Sequence, residues 1–294
     1  MATRDVSVVI PAFNDPNGVE TTLDSLLSTT STTPPEIIVV DNNSKDETPD
    51  IATKYATEHD HIHLEHETNI QSSYAARNTG IEHASSESDV ICFLDADQRV
   101  TEGWLEAALS RLQSENAHYL APNIELEASE IPTRTAQYNR ISGFPIEDFL
   151  EHHHYAPTSC LFVTRELLEG VGHFDERLVS GGDLEFGNRV YDAGYDLMFA
   201  PESTVIHPTR ANFRSLWRRN VRIGRGHCQL QRYYPERYGR VGIPPRPSGI
   251  RNEQYDGSLH PLVYRSISFS MTGARGVGYA RECLSILADR ARKR

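Results

Sequence analysis

Apolar residues in the first third of the chain come in short unbroken runs rather than in alternation. Ser7-Val8-Val9-Ile10, closed by Pro11, then Glu36-Ile37-Ile38-Val39-Val40 and Val90-Ile91-Cys92-Phe93-Leu94 are of this kind. Runs without alternation fit strands buried on both faces. Between them the apolar spacing changes to that of helices. Val19, Leu23, Leu26 and Leu27 share one face of a helix over 18–28. A second helix is predicted over 48–57, with Thr48 as cap and Pro49 at its first position. Ile62-His63-Leu64 reads as a further strand, and 72–84 and 103–114 as further helices. Strand and helix in alternation predict an α/β fold, a mostly parallel sheet flanked by helices. Ligands of such sheets bind beyond the carboxyl ends of the strands. The residues there are Asn14-Asp15, Asp41-Asn42-Asn43 and Asp95-Ala96-Asp97.

The stretch from about 119 to 210 is less regular. It contains a strand at Leu161-Phe162-Val163, a helix from near Arg165, a helix over 184–193 stopped by Gly194, and a strand-like Ser203–Ile206. Residues 213–234 read as a basic helix, and 242–258 as a Pro/Gly loop. Residues 277–292 read as an amphipathic helix with Tyr279, Cys283, Ile286 and Leu287 on one face.

Charge changes this picture. The 294 residues carry a net −12, but residues 1–206 hold −25 and residues 207–294 hold +13. Such asymmetry points to different partners for the two segments. Only Lys45, Lys54 and Lys293 are lysines, and the acidic, Lys-poor composition resembles that of proteins from high-salt cytoplasms. No apolar run is long enough to cross a membrane, and the N-terminal run is too short for a signal peptide, so a cytoplasmic location is expected. Cys92, Cys160, Cys228 and Cys283 lie far apart, without metal-site or disulfide-scaffold spacing.

Asp95 and Asp97 stand two apart after a strand. In extended chain, residues i and i+2 project to one side. Two such carboxylates suit a hard cation that completes its shell with phosphate oxygens and water. His207 follows a strand-like run and is a further candidate. His152-His153-His154 is the other histidine cluster, but consecutive histidines converge poorly on one ion, and a loop lining a cleft is the preferred reading.

VSVVIPAFND, IIVVDNNSKDET, AARNTGI and CFLDADQRV, in this order, resemble the nucleotide-sugar half of the family 2 glycosyltransferases. SGGDLEFGNRVYDAGYDLMFAPESTVIHPTR is similar to their acceptor and base region. The resemblance covers about residues 5–230 and implies the glycosyltransferase A fold. It divides the chain into a catalytic domain over 1–212, with a nucleotide-sugar half at 1–100 and an acceptor half at 101–212, and a basic helical extension over 213–294. It further implies inverting transfer of a sugar from a nucleotide diphosphate donor, a UDP-sugar by default, with Mg²⁺ or Mn²⁺. Pro11, Phe13 and Asn14 fall in the donor site, Phe13 where an aromatic stacks on the base. Asp41 matches the aspartate that accepts from the base, and Arg77 and Asn78 match contacts to base or phosphate. Asp97 matches the direct metal ligand and Asp95 a contact to ribose and metal-bound water. His207 matches a metal- or phosphate-contacting histidine. Asp183 matches the base that takes the acceptor proton, although Gly182 stands where many members have Glu; Glu185 is the alternative base. Arg222 or Arg225, from a basic run at helical spacing, matches a segment closing over the diphosphate.

The acceptor implied is a glycan or lipid-linked sugar, and the basic C-terminal segment is a candidate for peripheral contact with the inner membrane surface. Other readings fit less well. A nucleotidyltransferase starts with a Gly-rich phosphate loop and a basic residue, whereas residues 8–20 contain one Gly and no Lys or Arg. A dehydrogenase would need GxGxxG after the first strand. A regulatory module without catalysis would not need Asp95, Asp97 and Asp183 together. The basic residues of 207–294 are too dispersed for a nucleic-acid-binding tail.

Overall fold

The computed structural model describes residues 5–29, 34–127, 132–245 and 257–292. In chain order the elements are β1 (Val6–Ala12), α1 (Pro16–Thr29), β2 (Glu36–Asp41), α2 (Thr48–Glu58), β3 (Ile62–His66), α3 (Ser73–His83), β4 (Val90–Leu94), β5 (Arg99–Val100), α4 (Trp104–Ser114), β6 (Tyr119–Leu126), α5 (Arg134–Ser142), α6 (Ile146–Asp148), a π-helical turn (Phe149–His153), β7 (Cys160–Thr164), α7 (Arg165–Val171), α8 (Gly182–Asp192), β8 (Leu197–His207), α9 (Phe213–Tyr233), α10 (Pro235–Tyr238) and α11 (Pro261–Arg292). The part of the predicted Pro/Gly loop at 246–256 lies outside the described residues.

The chain divides into two compact units. The first takes the described residues of Met1–Glu125, Phe144–Arg177 and Gly182–His207; the second takes Leu126–Gly143, Leu178–Gly181 and Pro208–Arg294. A cut after 212 does not express this division, because two internal segments join the C-terminal unit.

The first unit is an eight-stranded sheet in the order β3-β2-β1-β4-β7-β6-β8-β5. Strands β3, β2, β1 and β4 run parallel. Beyond β4 the pairing becomes antiparallel, at β4/β7, β6/β7 and β5/β8. The sheet is therefore mixed: the continuous apolar runs marked its parallel half, and the other half is antiparallel. Val8 to Ile10, Ile37 to Val40 and Ile91 to Leu94 are buried, as strands covered on both faces require. Each such side chain contributes roughly 1.5–3 kcal/mol through removal from water. Gly80 brings α3 so close to β1 that a Cβ there would meet Val9 at 2.2 Å.

The second unit is helical. Its core holds Ile141, Leu216, Leu259, Tyr264, Ile267 and Met271. Helices α9 and α11 approach backbone to backbone at two glycines. A Cβ on Gly224 would lie 1.9 Å from the Arg275 carbonyl, and one on Gly278 1.9 Å from that of Val221. Arg225 and Gln229 on α9 both hold Glu282 on α11, each at 2.9 Å. Helix α11 begins at Pro261, sixteen residues before its predicted start at 277. The early turns were hidden because their buried face mixes Tyr264 and Ser268 with Ile267 and Met271. Among the described residues no helix is long and apolar enough to cross a membrane.

Candidate active site

The chain leaves β4 at Leu94, and the Asp95 amide donates to the Ser159 carbonyl at 2.8 Å. Two residues of β5 then pair antiparallel with β8, Arg99 opposite Ile206. That register carries His207, the residue after Ile206, to the end of β5 from which Asp97 projects. One ligand atom each from Asp95, Asp97 and His207 lie within 4.8 Å of one another. Two carboxylate oxygens and one imidazole nitrogen so disposed fit a divalent cation. Donors about 2.1 Å from a common ion are roughly 3–4.2 Å apart, so small side-chain movements complete the set. His207 is buried, with its ring 5.3 Å from that of Phe144. Gly18, in the first turns of α1, packs against this loop; a Cβ there would lie 2.6 Å from the Ala96 carbonyl.

Arg77 is buried beside Asp95. Its guanidinium is buried and donates to Asp95 Oδ1 at 2.6 Å and to the Thr158 carbonyl at 3.2 Å. Arg77 thus meets one carboxylate of the group formed by Asp95, Asp97 and His207, a partner its sequence position did not indicate. Asn78 is engaged by the chain as well. Its amide donates to the Phe174 carbonyl at 2.9 Å and accepts from the Phe174 amide at 3.0 Å, so both ends hold a loop.

Asp41 ends β2, buried, with each carboxylate oxygen accepting from the Ser44 amide at 3.3 Å. His66, its register partner on β3, lies 3.6 Å away. Asn14 adopts left-handed backbone, φ 50°. Its amide donates to Ser44 Oγ at 2.9 Å, and its side-chain oxygen accepts from the Lys45 amide at 2.8 Å. Asn14 thus ties the loop after β1 to the loop after β2. Pro11 lies within β1, opposite Val40, and Phe13 follows the strand with its ring about half exposed.

Asp183 lies in the first turn of α8, where its carboxylate accepts from the Leu184 amide at 2.9 Å. Tyr119 feels its charge: burial first, and then the Asp183 carboxylate, push the Tyr119 phenol above its usual range. The alternative base, Glu185, is buried and forked by Arg189, at 2.9 and 3.0 Å. Both carboxylate oxygens of Glu185 are thus engaged in that ion pair.

Gly182 also has a structural cause. A Cβ there would lie 2.7 Å from the Tyr74 ring. Tyr74 is held by stacking on Phe174, with centroids 5.9 Å apart. The ring fills the space where a longer side chain at 182 would begin. Packing against Tyr74 thus gives a physical reason for glycine at 182. Tyr74 and Phe144 were not anticipated, because an aromatic residue carries no spacing signal for such contacts.

In the second unit Arg225 is committed to Glu282, whereas Arg222 is exposed. His152 to His154 form no group with other ligands among the described residues. The carbonyls of His153 and His154 accept from Asn188, and the His154 ring stacks on Tyr191 at 3.8 Å.

The profile of Glycosyl transferase family 2 matches residues 7–171, more than half of the chain. The chain is a family 2 glycosyltransferase. A second profile, Glycosyl transferase family group 2, matches residues 90–275 and so reaches past the sheet into the helical unit. The transferase is 34% identical over 226 residues to "Glycosyltransferase AglE" of Haloferax volcanii, covering 76% of this chain and 73% of that one. It is 29% identical to "Pre-mycofactocin glycosyltransferase" of Mycobacterium tuberculosis, covering 80% of this chain but 49% of the relative. In fold it is similar to the mannosyltransferase PcManGT from Pyrobaculum calidifontis, solved in complex with GDP-Man and Mn²⁺. The TM-score is 0.59 at 20% identity, over 97% of this chain and 79% of that one. This match supports the glycosyltransferase A-type fold.

Proposed function

We propose that this transferase moves a sugar from a nucleotide diphosphate donor to an acceptor hydroxyl with inversion, using a divalent cation and Asp183 as base. The convergence of Asp95, Asp97 and His207 carries the reading. A cation held there supplies positive charge beside the departing diphosphate, where negative charge grows in the transition state. Asp97 and His207 would hold it, and Asp95 would serve both the ion and the ribose, kept in place by Arg77. The imidazole in the set favours Mn²⁺ over Mg²⁺, which prefers an all-oxygen shell. Phe13 would stack on the base and Asp41 would accept from it. Asp183 would take the acceptor proton. Arg222, exposed where Arg225 is committed, would contact phosphate. Arg222→Ala should then weaken donor binding in calorimetry without changing the melting temperature.

The donor reading is a UDP-sugar. A panel of UDP-, GDP- and dTDP-sugars tests it by thermal shift, with and without Mn²⁺. A shift limited to GDP-sugars, the nucleotide held by the fold neighbour, would correct the base and leave the reaction class standing. Strong metal-free binding, or no shift with any donor, would sink the mechanism. The acceptor reading is a glycan or lipid-linked sugar at the inner face of the membrane. The net +13 of residues 207–294 supports it.

A further inference from the structure

Helix α11 has one face in the helical core and one that nothing among the described residues covers. Leu262, Phe269, Val277, Leu284 and Leu287 all point outward, Phe269 at 80% and Leu284 at 66% exposure. Their spacing in the sequence is 7, 8, 7 and 3, so they form one stripe along the helix. Gly273 and Gly276 lie along the same stripe, and a Cβ on either would meet nothing within 4 Å. From Leu262 to Leu287 the stripe runs for about 37 Å.

Charge indicates what covers it. The charged residues that interrupt the stripe, Arg265 and Arg281, are both basic and exposed. Among the described side chains of α11 the one carboxylate is Glu282, which is buried and paired with Arg225 at 2.9 Å. Two copies packed through this stripe would bring these arginines together with no acid on it to neutralise them. An anionic lipid surface takes the apolar side chains between its acyl chains and the guanidiniums among its headgroups. We propose that the outward stripe of α11 is the docking surface for an anionic bilayer, with α11 lying in the interface plane. This deepens the membrane part of the function proposed above by assigning it to one helix face. In high salt the arginine contribution is screened, and the apolar stripe carries the attachment.

The test is co-sedimentation of the full chain with phosphatidylglycerol vesicles and, separately, with phosphatidylcholine vesicles. Binding is expected to the first and much weaker binding to the second. Phe269→Glu and Leu284→Glu should each lower vesicle affinity on the order of tenfold or more. Arg265→Ala with Arg281→Ala should lower it at low salt and change little at high salt. All variants should keep the donor-dependent thermal shift with Mn²⁺, which separates failure of this proposal from failure of the catalytic reading. Absence of phosphatidylglycerol binding at low salt overturns the proposal, as does binding that survives both glutamate substitutions. A vesicle-independent dimer that Phe269→Glu dissociates also overturns it, in favour of a second copy.

Discussion

Asp95 and Asp97 are two residues apart yet differ in what holds them. Asp95 is clamped by the buried Arg77 at 2.6 Å, whereas Asp97 stands with His207 at the β5/β8 end of the loop. Asp97→Ala should abolish the Mn²⁺-dependent part of donor binding, read by calorimetry. Asp183→Asn should leave that binding intact and lower turnover by about 10²–10⁴-fold, the usual contribution of a general base. Removing Arg77 leaves Asp95 without its countercharge. Asp95 keeps about a third of its side chain in water, 35% exposed, so the loss falls below the full cost of breaking a buried pair. Arg77→Leu should lower unfolding free energy by roughly 1–3 kcal/mol and weaken Mn²⁺ affinity, with Arg77→Lys restoring part of the first effect. The carboxylates and His207 were legible as candidates. The guanidinium's partner was not, because Arg77 and Asp95 meet only when α3 packs on β1, the strand beside β4.

At the scale of elements, the parallel strands and their helices were readable almost to the residue. The runs at 36–40 and 90–94 match β2 and β4, but the cap of α2 does not fall where expected: Glu47 takes the cap position, Thr48 is already helical, and its hydroxyl accepts from the Asp15 amide at 2.8 Å. Unbroken apolar runs closed by Pro11, Asp41 and Asp95 leave few alternatives. Of the antiparallel half, parts of β7 and β8 were legible at 161–163 and 203–206, but β5, two residues long, and Tyr119 to Leu126, neither run nor alternation, were hidden. Those strands form because neighbours offer them hydrogen bonds. Helix α8 illustrates the same dependence. Gly182→Glu, the residue that the resemblance leads one to expect there, should destabilise the fold because Tyr74 occupies the space. Adding Tyr74→Ala should recover part of the loss. A double-mutant cycle from denaturant melts measures the coupling, and simple additivity would show that the ring is not the obstacle.

For the whole molecule, the division of charge corresponds to a division of structure: an acidic sheet unit and a basic helical one. His227, on α9, is pushed down to about 4 by burial first and by Arg275 second. Its folded value lies below its unfolded value of 6.5, so the unfolded chain binds the proton more readily. Its neutral form therefore supports the fold above pH 6.5, and that support is lost as the pH falls from 6.5 towards 4, by up to about 3 kcal/mol. Urea melts at several pH values should show the decline, and His227→Gln should flatten this part of it.

The sequence by itself determined the α/β character, the family, the loops at the strand ends and the two carboxylates after β4. These follow from local spacing and from residue types that few other chemistries require. Tertiary structure alone decided which polar groups are free to act. It committed Arg77 to Asp95, Asn78 to the Phe174 loop, Glu185 to Arg189 and Arg225 to Glu282, and it turned one face of α11 outward. A side chain's partners come from elements distant in the chain, and a buried polar group must take the partner that packing brings to it.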